Sequence, residues 1–533
     1  MFDSILFNGR IHTNNAEQTI VSAVIIHSGR IFAIGDDSLC QLAGTNTVLQ
    51  DLKGAVVFPG FIDGHLHWKW TSIALQSVDV YEVSHKELAL ERVAEAVKKT
   101  AKGQWISGSG WTQDFWPDKK FPQAKDLDQV SPQHPVALQA KSGHAMWVNS
   151  LGLKLANITA NTPDPEGGEI QRDAAGEPTG ILFETAMELV STLIPVPDVE
   201  QLADYMLVAQ SLAHAQGLTG IHDFDEPSCL MALQILRERG ELGLRVLKQV
   251  KQDWIKDAIR LGIRWGFGDD WIRIGSLKMF ADGALGPRTA SMIEAYEGEP
   301  DNFGIKVLDK EEMLEFASLA TRNGLPTTIH AIGDLAVHDV LDVFEALRAE
   351  EEALSIPRDQ RRHRIEHVQI IHPQDAHRLA QLDIIASMQP LHATSDFEMA
   401  DAYWGDRSKL AYNPRIQLDQ GVHVVFGSDS PVDPFDPIKG IHAAVTRQRA
   451  NGQPAGGWYP EARVSMQEAI HGFTIGPAYA AGQEHQQGCL LPGYFADLVI
   501  LDQDLYAIEA DRILDTKVLA TMVDGQWRYG FDT

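Results

Sequence analysis

Short apolar runs alternate with amphipathic segments through the middle of the chain, and this pattern predicts a parallel α/β sheet. Eight apolar runs are predicted to be strands: Val56–His67, Gly220–Phe224, Leu244–Val250, Ile272–Phe280, Pro326–Ile332, His363–Val368, Ile384–Gln389 and Val422–Ser428. Helical periodicity lies between many of them, for example over Glu311–Arg322 and Ala336–Arg348. Because alternating strands and helices form parallel sheets with right-handed crossovers, eight such strands predict a closed, TIM-like (β/α)8 barrel.

The two ends of the chain differ from the middle, since both consist of short β-rich runs that break at hairpin-type turns. These runs lie at 4–12 and 20–35, and again at 496–502 and 517–529. Short strands cannot bury a face alone, so we expect both ends to pair into one small β-sandwich. The predicted organisation is a β-sandwich from 1–54 and 485–533, with the barrel at 55–484.

The gap between the first two predicted strands is too long for a single crossover connection. Residues from about 75 to 215 are therefore predicted to form an insertion, and this segment is rich in Gly, Pro and Trp. The predicted fold class is α/β. It comprises a TIM-like barrel, a small β-sandwich built from both chain termini, and an insertion after the first barrel strand.

Composition and charge then restrict the class of protein. Hydrophobic residues make up 44% and charged residues 22% of the 533 positions, as in ordinary globular proteins. The formal net charge of −28 argues against a nucleic-acid or anionic-membrane partner, because phosphate binding needs clustered positive charge. The three cysteines are too few and too far apart for a disulfide framework. We see no signal peptide and no apolar run of membrane length, so we expect a cytoplasmic protein.

Candidate catalytic residues lie at the ends of the predicted strands, where a barrel of this kind builds its active site. These strand-end side chains are His65 and His67 on the first strand, Lys278 on the fourth, His330 on the fifth, His367 on the sixth and Asp429 on the eighth. Because His65 and His67 are two residues apart on a strand, both project from one face, as two ligands of one metal require. Neutral imidazoles with a carboxylate form a donor set suited to Zn²⁺ and similar ions.

Lys278 lies within an apolar strand, Ile-Gly-Ser-Leu-Lys-Met-Phe. Burial disfavours a charged amine, and a neutral amine can add CO₂ to become a carbamate that bridges two metal ions. The residues alone leave an alternative open, in which Lys278 reaches solvent or pairs with Asp282.

Seven segments of the chain together resemble the amidohydrolase superfamily, and specifically its amidohydrolase family 3 branch, which is YtcJ-like and N-substituted formamide deformylase-like. The segments are PGFIDGHLH (59–67), SGHAMWVNS (142–150), LKMFADGALGPRTA (277–290), IHAIGDLAV (329–337), HRIEHVQ (363–369), FGSDSPV (426–432) and LPGYFADLVILD (491–502). The resemblance covers nearly the whole chain, and the set in this order is far more specific than any one segment.

The resemblance implies a ligand arrangement and catalytic roles. His65 and His67 would hold the more buried metal, and carboxylated Lys278 would bridge it to a second metal held by His330 and His367. Asp429 would bind the first metal and accept the proton of the attacking water. Asp429, Lys278 and His367 are thus the predicted catalytic residues. The implied cofactor is a divalent metal, zinc first, with one or two ions per chain.

Further residues are candidates for substrate binding: Trp111, His144, Asp282, Arg288 and His392. Trp111 and His144 fall in the insertion and are interpreted as lid residues, with packing of that segment as the alternative. Asp282 and Arg288 follow the lysine strand, where a structural ion pair explains them nearly as well. His392 lies at the exit of the seventh strand. His222 and Asp223, at the end of the second strand, are candidates for a supporting layer behind the site.

The expected function is a metal-dependent hydrolase that cleaves a non-peptide C–N bond, in an amide, N-formyl or N-acyl amine, through a metal-activated hydroxide. A deaminase or an ester or lactone hydrolase is the first alternative, because the same site attacks those carbons. A non-catalytic regulatory relative is the second. We expect a small-molecule substrate with no nucleic-acid or membrane partner, and we leave a homodimer open.

Overall fold

Eight parallel strands form a barrel, as the sequence predicts. Labelled in chain order, they are β1 Phe61–Leu66, β2 Leu218–Asp223, β3 Arg245–Lys251, β4 Ile272–Phe280, β5 Thr327–Ala331, β6 Arg364–His367, β7 Ile385–Met388 and β8 Val424–Phe426. Each strand pairs with the next along the chain. Just beyond β8, the backbone N–H of Asp429 donates to the carbonyl of His65 in β1 at 2.7 Å, which brings the last strand back to the first.

The computed structural model describes residues 2–81, 83–113, 116–140, 145–165 and 167–531. The chain folds as two units, one of Met1–Thr71 with Met206–Thr533 and one of Ser72–Tyr205. The barrel belongs entirely to the first unit. Along the chain, the second unit overlaps the segment from about 75 to 215 that the sequence predicts to be an insertion.

The run predicted as one strand from Val56 to His67 forms two strands that belong to different sheets. Val56–Pro59 joins the sheet of the chain ends, and Phe61–Leu66 begins the barrel. Gly60 separates them, and an added Cβ there would lie 2.2 Å from Cγ2 of Thr219 at the start of β2. Only a glycine permits this close approach, which lets the chain leave one sheet and enter the next.

Helices follow most of the barrel strands. The α-helices of the described residues are Trp68–Ala74, Lys86–Lys99, Ala124–Asp128, Ser150–Leu155, Glu188–Ser191, Val199–Ala215, Pro227–Glu238, Ile255–Arg260, Lys310–Arg322, Asp334–Ala353, Arg378–Leu382, Pro390–Trp404, Pro414–Leu418, Pro437–Thr446, Met466–Gly472 and Ile475–Ala480. Four of them begin with proline. Proline lacks a backbone N–H, and the N–H groups of the first turn make no hydrogen bond within the helix, so proline costs no hydrogen bond at this position. Within the described ranges, no helix has both the length and the apolar character needed to cross a bilayer.

Both ends of the chain build two further sheets around a shared core. The four-stranded sheet has the order Arg30–Gly35, Ala23–His27, Ser4–Phe7, Val48–Asp51. The six-stranded sheet has the order Gln526–Tyr529, Val518–Val523, Leu498–Leu501, Val56–Pro59, Arg10–His12, Ile20–Val21. Leu6 and Ile26 pack in one apolar cluster with Leu498 and Met522. The predicted β domain of both termini is therefore confirmed.

The second unit has a sheet of its own. Its strand order is Gly168–Arg172, Pro178–Glu184, Ala145–Val148, Val136–Ala140, Ile106–Trp111, Val78–Asp79. Val93, Trp111, Leu138 and Trp147 are buried together in its main apolar cluster. Tryptophan and β-branched residues thus supply this unit with an independent core.

Candidate metal centre at the strand ends

The predicted ligands converge at the carboxyl end of the barrel. His65 lies near the end of β1, Lys278 near the end of β4, His330 in β5, His367 at the end of β6 and Asp429 three residues after β8. One ligand atom from each of His65, His367 and Asp429 lies within 4.8 Å of the other two. The ring centroids of His330 and His367 are 4.5 Å apart. Five different strands therefore deliver these side chains to one place.

Asp429 occupies the centre of this cluster. Its Oδ1 lies 3.3 Å from Nε2 of His65 and 3.4 Å from Nε2 of His67. Its backbone has φ 58°, in the left-handed region that few residues other than glycine adopt. Burial raises the pKa of Asp429, but hydrogen bonds from His392, His65 and His67 outweigh burial and hold that pKa well below its usual value. The carboxylate is therefore ionised at neutral pH.

In three of the histidines, Nδ1 is held by a protein oxygen. The contacts are His65 to Glu366 at 2.6 Å, His67 to Asp225 at 2.8 Å and His367 to Gln389 at 2.8 Å. A neutral ring that donates through Nδ1 keeps its lone pair on Nε2, so His65 and His67 would ligate a metal once Nε2 gives up the proton that it shares with Asp429. Carboxylate or carbonyl partners of this kind are typical of metal-ligating histidines. The arrangement therefore orients Nε2 of each ring for coordination.

His67 shows that the cluster favours a cation. Burial lowers the pKa of His67, but its hydrogen bonds to Asp225 and Asp429 outweigh burial and raise that pKa to about 10. Two carboxylates in a buried site thus attract positive charge strongly, whether as a proton or as a metal ion. The same two carboxylates would stabilise a divalent ion held by the neutral ring.

His330 is oriented in the opposite way. Its Nε2 lies 2.9 Å from the carbonyl oxygen of Gly283, so Nε2–H donates there and Nδ1 keeps the lone pair. Burial, together with the charge of Lys278, lowers the pKa of His330 to about 3. This ring is therefore neutral, as a metal ligand must be.

Lys278 is buried, with 2% of its surface exposed. Its Nζ lies 4.5 Å from the ring centroid of Phe280 and 5.0 Å from that of Phe224. Burial lowers the pKa of Lys278 to about 8. Among the described ion pairs, none joins Lys278 to Asp282, so the pairing that the residues alone left open is not what the structure shows.

Asp282 instead braces the backbone around the site. Its carboxylate accepts hydrogen bonds from the N–H groups of Ser291, Ile332 and Gly333, at 2.9, 3.0 and 2.8 Å. Burial raises the pKa of Asp282 to about 7. These bonds fix the segment that follows β5, and the predicted substrate role of Asp282 stays a prediction.

The contacts of Arg288 are with residues outside the histidine–carboxylate cluster. It forms an ion pair with Glu299, and its guanidinium lies 5.2 Å from the ring centroid of Tyr403. The side chain is 41% exposed, so it is accessible to a ligand at the surface. Its predicted role in substrate binding stays a prediction.

His392 is the substrate candidate that contacts the cluster directly. Its Nε2 lies 3.3 Å from Oδ2 of Asp429, and its Nδ1 lies 2.6 Å from Oδ2 of Asp433. Trp111 is fully buried in the second unit, where its Nε1–H donates to the carbonyl of Leu138 at 2.7 Å. His144 lies outside the described residues. The substrate roles of these three residues also stay predictions.

The end of β2 carries two buried contacts behind the site. His222 accepts a hydrogen bond at Nδ1 from Arg364 at 3.0 Å, and burial holds the pKa of His222 well below its usual value. Asp223 pairs with Lys248 at 2.8 Å and accepts a hydrogen bond from the backbone N–H of Trp68. Both residues thus support the elements that carry the cluster.

The residues that orient the histidines, chiefly Glu366, Asp225 and Gln389, were not among the predicted site residues. Besides contacting His65, Glu366 accepts a hydrogen bond from the Thr328 hydroxyl at 2.6 Å and pairs with Arg364 at 2.8 Å, so its buried charge has a counter-ion. A signal was present, because Arg364-Ile-Glu366 places two charged residues two apart in a buried strand. Asp223-Phe-Asp225 follows the same alternation.

The structure thus has a parallel barrel, a β domain made from both chain ends and a histidine–carboxylate cluster at the strand ends, the features that the resemblance to the amidohydrolase superfamily implies. The chain belongs to the amidohydrolase family, whose sequence profile, Amidohydro_3, matches residues 48–529. The predicted family resemblance is therefore confirmed.

Individual relatives match along almost the whole chain. The chain is 33% identical to Protein LONG AFTER FAR-RED 3 of Arabidopsis thaliana, over 99% of this chain and 91% of that protein. It is 31% identical to YtcJ of Bacillus subtilis and 29% identical to N-substituted formamide deformylase of Arthrobacter pascens, over 99% of this chain and 99% and 98% of those proteins. A solved structure of an uncharacterized metal-dependent hydrolase from Pyrococcus furiosus matches with a TM-score of 0.77 and 30% identity, covering 94% of this chain and 99% of that chain.

Proposed function

We propose that the protein is a metal-dependent hydrolase that cleaves a non-peptide C–N bond in an amide, N-formyl or N-acyl amine. The observation that carries the proposal is the buried cluster in which ligand atoms of His65, His367 and Asp429 lie within 4.8 Å of one another. Two relatives support it by name, the deformylase of Arthrobacter pascens for the bond and the Pyrococcus furiosus hydrolase for the metal.

The residues fit a divalent cation, with zinc as the first candidate. Imidazole nitrogens with a carboxylate oxygen are the donors that Zn²⁺ prefers in catalytic sites, and here each ring is oriented by a second partner. His65, His67 and Asp429 would hold one ion, and His330, His367 and carboxylated Lys278 a second. Such an ion, when bound, lowers the pKa of water toward ~7 and polarises the substrate carbonyl.

Asp429 is assigned the proton transfer. Because its pKa is held well below the usual value, the carboxylate is ionised and accepts the proton that the attacking water loses. Asp429 then returns this proton to the nitrogen of the leaving amine, so a carboxylate and a free amine are the products. The His392 ring, 3.3 Å from Oδ2, holds the carboxylate in place during this transfer.

Lys278 is assigned the bridging carbamate. Its amine, with a pKa lowered to about 8, has a neutral fraction at neutral pH that can attack CO₂. The nitrogen–carbon bond forms, one proton leaves the nitrogen, and the product is an anion with two oxygens. Burial is the largest influence on this amine and favours its neutral form, which is the form that reacts with CO₂.

The test is amine release from a panel of N-formyl and N-acyl amines by full-length protein purified without chelators. We expect one to two divalent ions per chain by elemental analysis, turnover of at least one panel member, loss of turnover on chelation and its return with zinc. Metal-free protein with unchanged activity contradicts the proposal. Turnover of matched esters or lactones, or ammonia release from amino-heterocycles, without amide cleavage favours the alternative reactions.

A further inference from the structure

An apolar groove with a volume of about 700 Å³ lies on the outer wall of the barrel, beside β3 and β4. Helix Pro227–Glu238, with 12 residues, forms one side. The helix that follows β3, Ile255–Arg260, has only six residues and covers much less of the strands. The groove is the space that this short helix leaves open, and none of the candidate metal ligands lines it.

The walls of this groove are apolar. They include Leu230, Val250, Ile263 and Ile274 in addition to residues at the rim. At the rim, Trp254 is 47%, Phe267 60% and Leu261 79% exposed. Large apolar side chains exposed singly are common, but several gathered around one cavity indicate a binding site.

One polar group in the wall has no partner. Gln249 lines the groove, is 1% exposed and accepts a hydrogen bond at Oε1 from the N–H of Ser276. Its Nε2 has no hydrogen-bond partner among the described residues. Because a buried donor without an acceptor costs free energy, an acceptor supplied by a ligand would be favourable here.

Each of the three cationic side chains that line the groove has an acidic partner. Arg237 pairs with Asp269 at 3.1 Å, and Lys251 pairs with Glu226 at 3.2 Å. Lys248 pairs with Asp223 at 2.8 Å. An anionic ligand would find no free cation among these lining residues, and the apolar walls offer a charged ligand little solvation, so the chemistry favours a neutral one.

We propose that this groove binds a neutral, largely hydrocarbon small molecule that carries one hydrogen-bond acceptor, such as an alkyl or aryl ketone or amide. The volume lies within the range of about 300–1,000 Å³ that small-molecule sites occupy. The hydrocarbon part fills the apolar walls, and the acceptor meets Nε2 of Gln249. No candidate metal ligand lines the groove, although Asp225, which holds Nδ1 of His67, does. The proposal does not depend on the proposed hydrolysis.

The probe is prodan, a neutral naphthyl ketone whose emission shifts to the blue in apolar surroundings. We expect the full-length protein to bind prodan saturably, at one site per chain. Ala258→Phe places a ring in the groove from the short helix and should weaken binding at least tenfold. Ala346→Phe, on the exposed side of helix Asp334–Ala353, is the matched control and should leave binding unchanged.

Two further variants keep the test independent of one substitution. Gln249→Met removes the amide and retains the length, so it should weaken prodan about fivefold. The same variant should leave the affinity for 2-ethylnaphthalene, measured by its displacement of prodan, unchanged, because 2-ethylnaphthalene has no hydrogen-bond acceptor. Leu261→Asn, at a largely exposed position, should weaken both ligands about threefold without loss of folding.

The outcomes that overturn the proposal are distinct. Absence of saturable binding overturns it, as does binding that survives Ala258→Phe and Leu261→Asn. Binding that disappears in Asp429→Asn or His367→Ala places the probe at the metal centre and also overturns it. A dimer detected by sedimentation also overturns the proposal if it does not bind prodan and if Leu261→Asn dissociates it. The groove is then an interface between two copies of the chain.

Discussion

At the scale of single residues, Asp429 shows how one carboxylate organises several rings. Its two oxygens contact three histidines, at 3.3, 3.4 and 3.3 Å. The rings are held from behind by other side chains, so they cannot move freely when Asp429 changes. Variants at position 429 can therefore change proton transfer while the positions of the surrounding histidine rings stay the same.

Asp429→Asn keeps the size of the side chain and one oxygen ligand, but the amide cannot accept a proton. We expect kcat to fall roughly 10²–10⁴-fold, the usual contribution of a general base, with most of the metal retained. His65→Ala should instead lose metal, because it removes a ligand. Elemental analysis and turnover on the same preparations check both results, and near-normal turnover in both variants would place the site elsewhere.

Lys278→Ala should bind less metal than the unmodified protein and be nearly inactive, because the proposed carbamate bridge would be lost. Short carboxylic acids in the buffer should restore part of the activity by occupying the vacated space. Lys251→Ala is the matched control, since Lys251 lies beside Lys278 in the register of β3 and β4 but pairs with Glu226. Equal metal content in the Lys278 variant and the unmodified protein, with no effect of bicarbonate on reconstitution, would argue for a plain amine.

The convergence of the candidate ligands could be predicted because residue type and strand-end position are properties of the local sequence. The partners of the histidines could not, because they depend on which strands become neighbours. Glu366 reaches His65 across the barrel, from β6 to β1, and Gln389 reaches His367 from beyond β7. Nothing in the sequence around His65 indicates a glutamate about 300 residues later.

At the scale of elements, β1 is the strand on which the barrel closes. Gly64 of β1 faces β8 so closely that an added Cβ would lie 2.1 Å from Cγ1 of Val425 and 2.8 Å from the carbonyl oxygen of Phe426. A glycine in a strand usually weakens it, and here it permits two backbones to approach. The apolar pattern predicted a strand here but carried no information on this contact.

Gly64→Ala should push β8 away from β1 and lower the free energy of unfolding by about 1–3 kcal/mol, the range for overpacking a dense interior. Gly286→Ala is the control, because the atom nearest an added Cβ there is Sδ of Met399 at 3.8 Å. Urea denaturation of both variants measures the difference. Equal stability of the two would show that closure does not require the glycine.

At the scale of the whole molecule, Arg245 joins the barrel to the sheet of the chain ends. It lies in β3, and its guanidinium donates to both carboxylate oxygens of Asp497, at 2.6 and 3.1 Å. The same group lies 3.6 Å from the ring centroid of Phe495. The prediction that the two chain ends pair does not include this ion pair, because the ion pair depends on where the sheet packs against the barrel.

Arg245→Met should leave the carboxylate of Asp497 buried without a counter-ion, and we expect the free energy of unfolding to fall by about 3–5 kcal/mol. Arg512→Met, which breaks an exposed pair with Asp515, should change stability by less than about 1 kcal/mol. Thermal and urea unfolding compare the two variants. A small effect at Arg245 would mean that the sheet is anchored by apolar packing alone.

The register of the six-stranded sheet also bears on how the protein is made. Val57 pairs with Ile500 in the sheet, so strand Val56–Pro59 cannot form this pairing until a segment roughly 440 residues later has been translated. At about 5–20 residues per second, the ribosome needs on the order of 20–90 s to deliver it. Throughout that interval the nascent chain exposes an unpaired apolar edge. The order of synthesis therefore delays completion of this sheet until nearly the whole chain has been made.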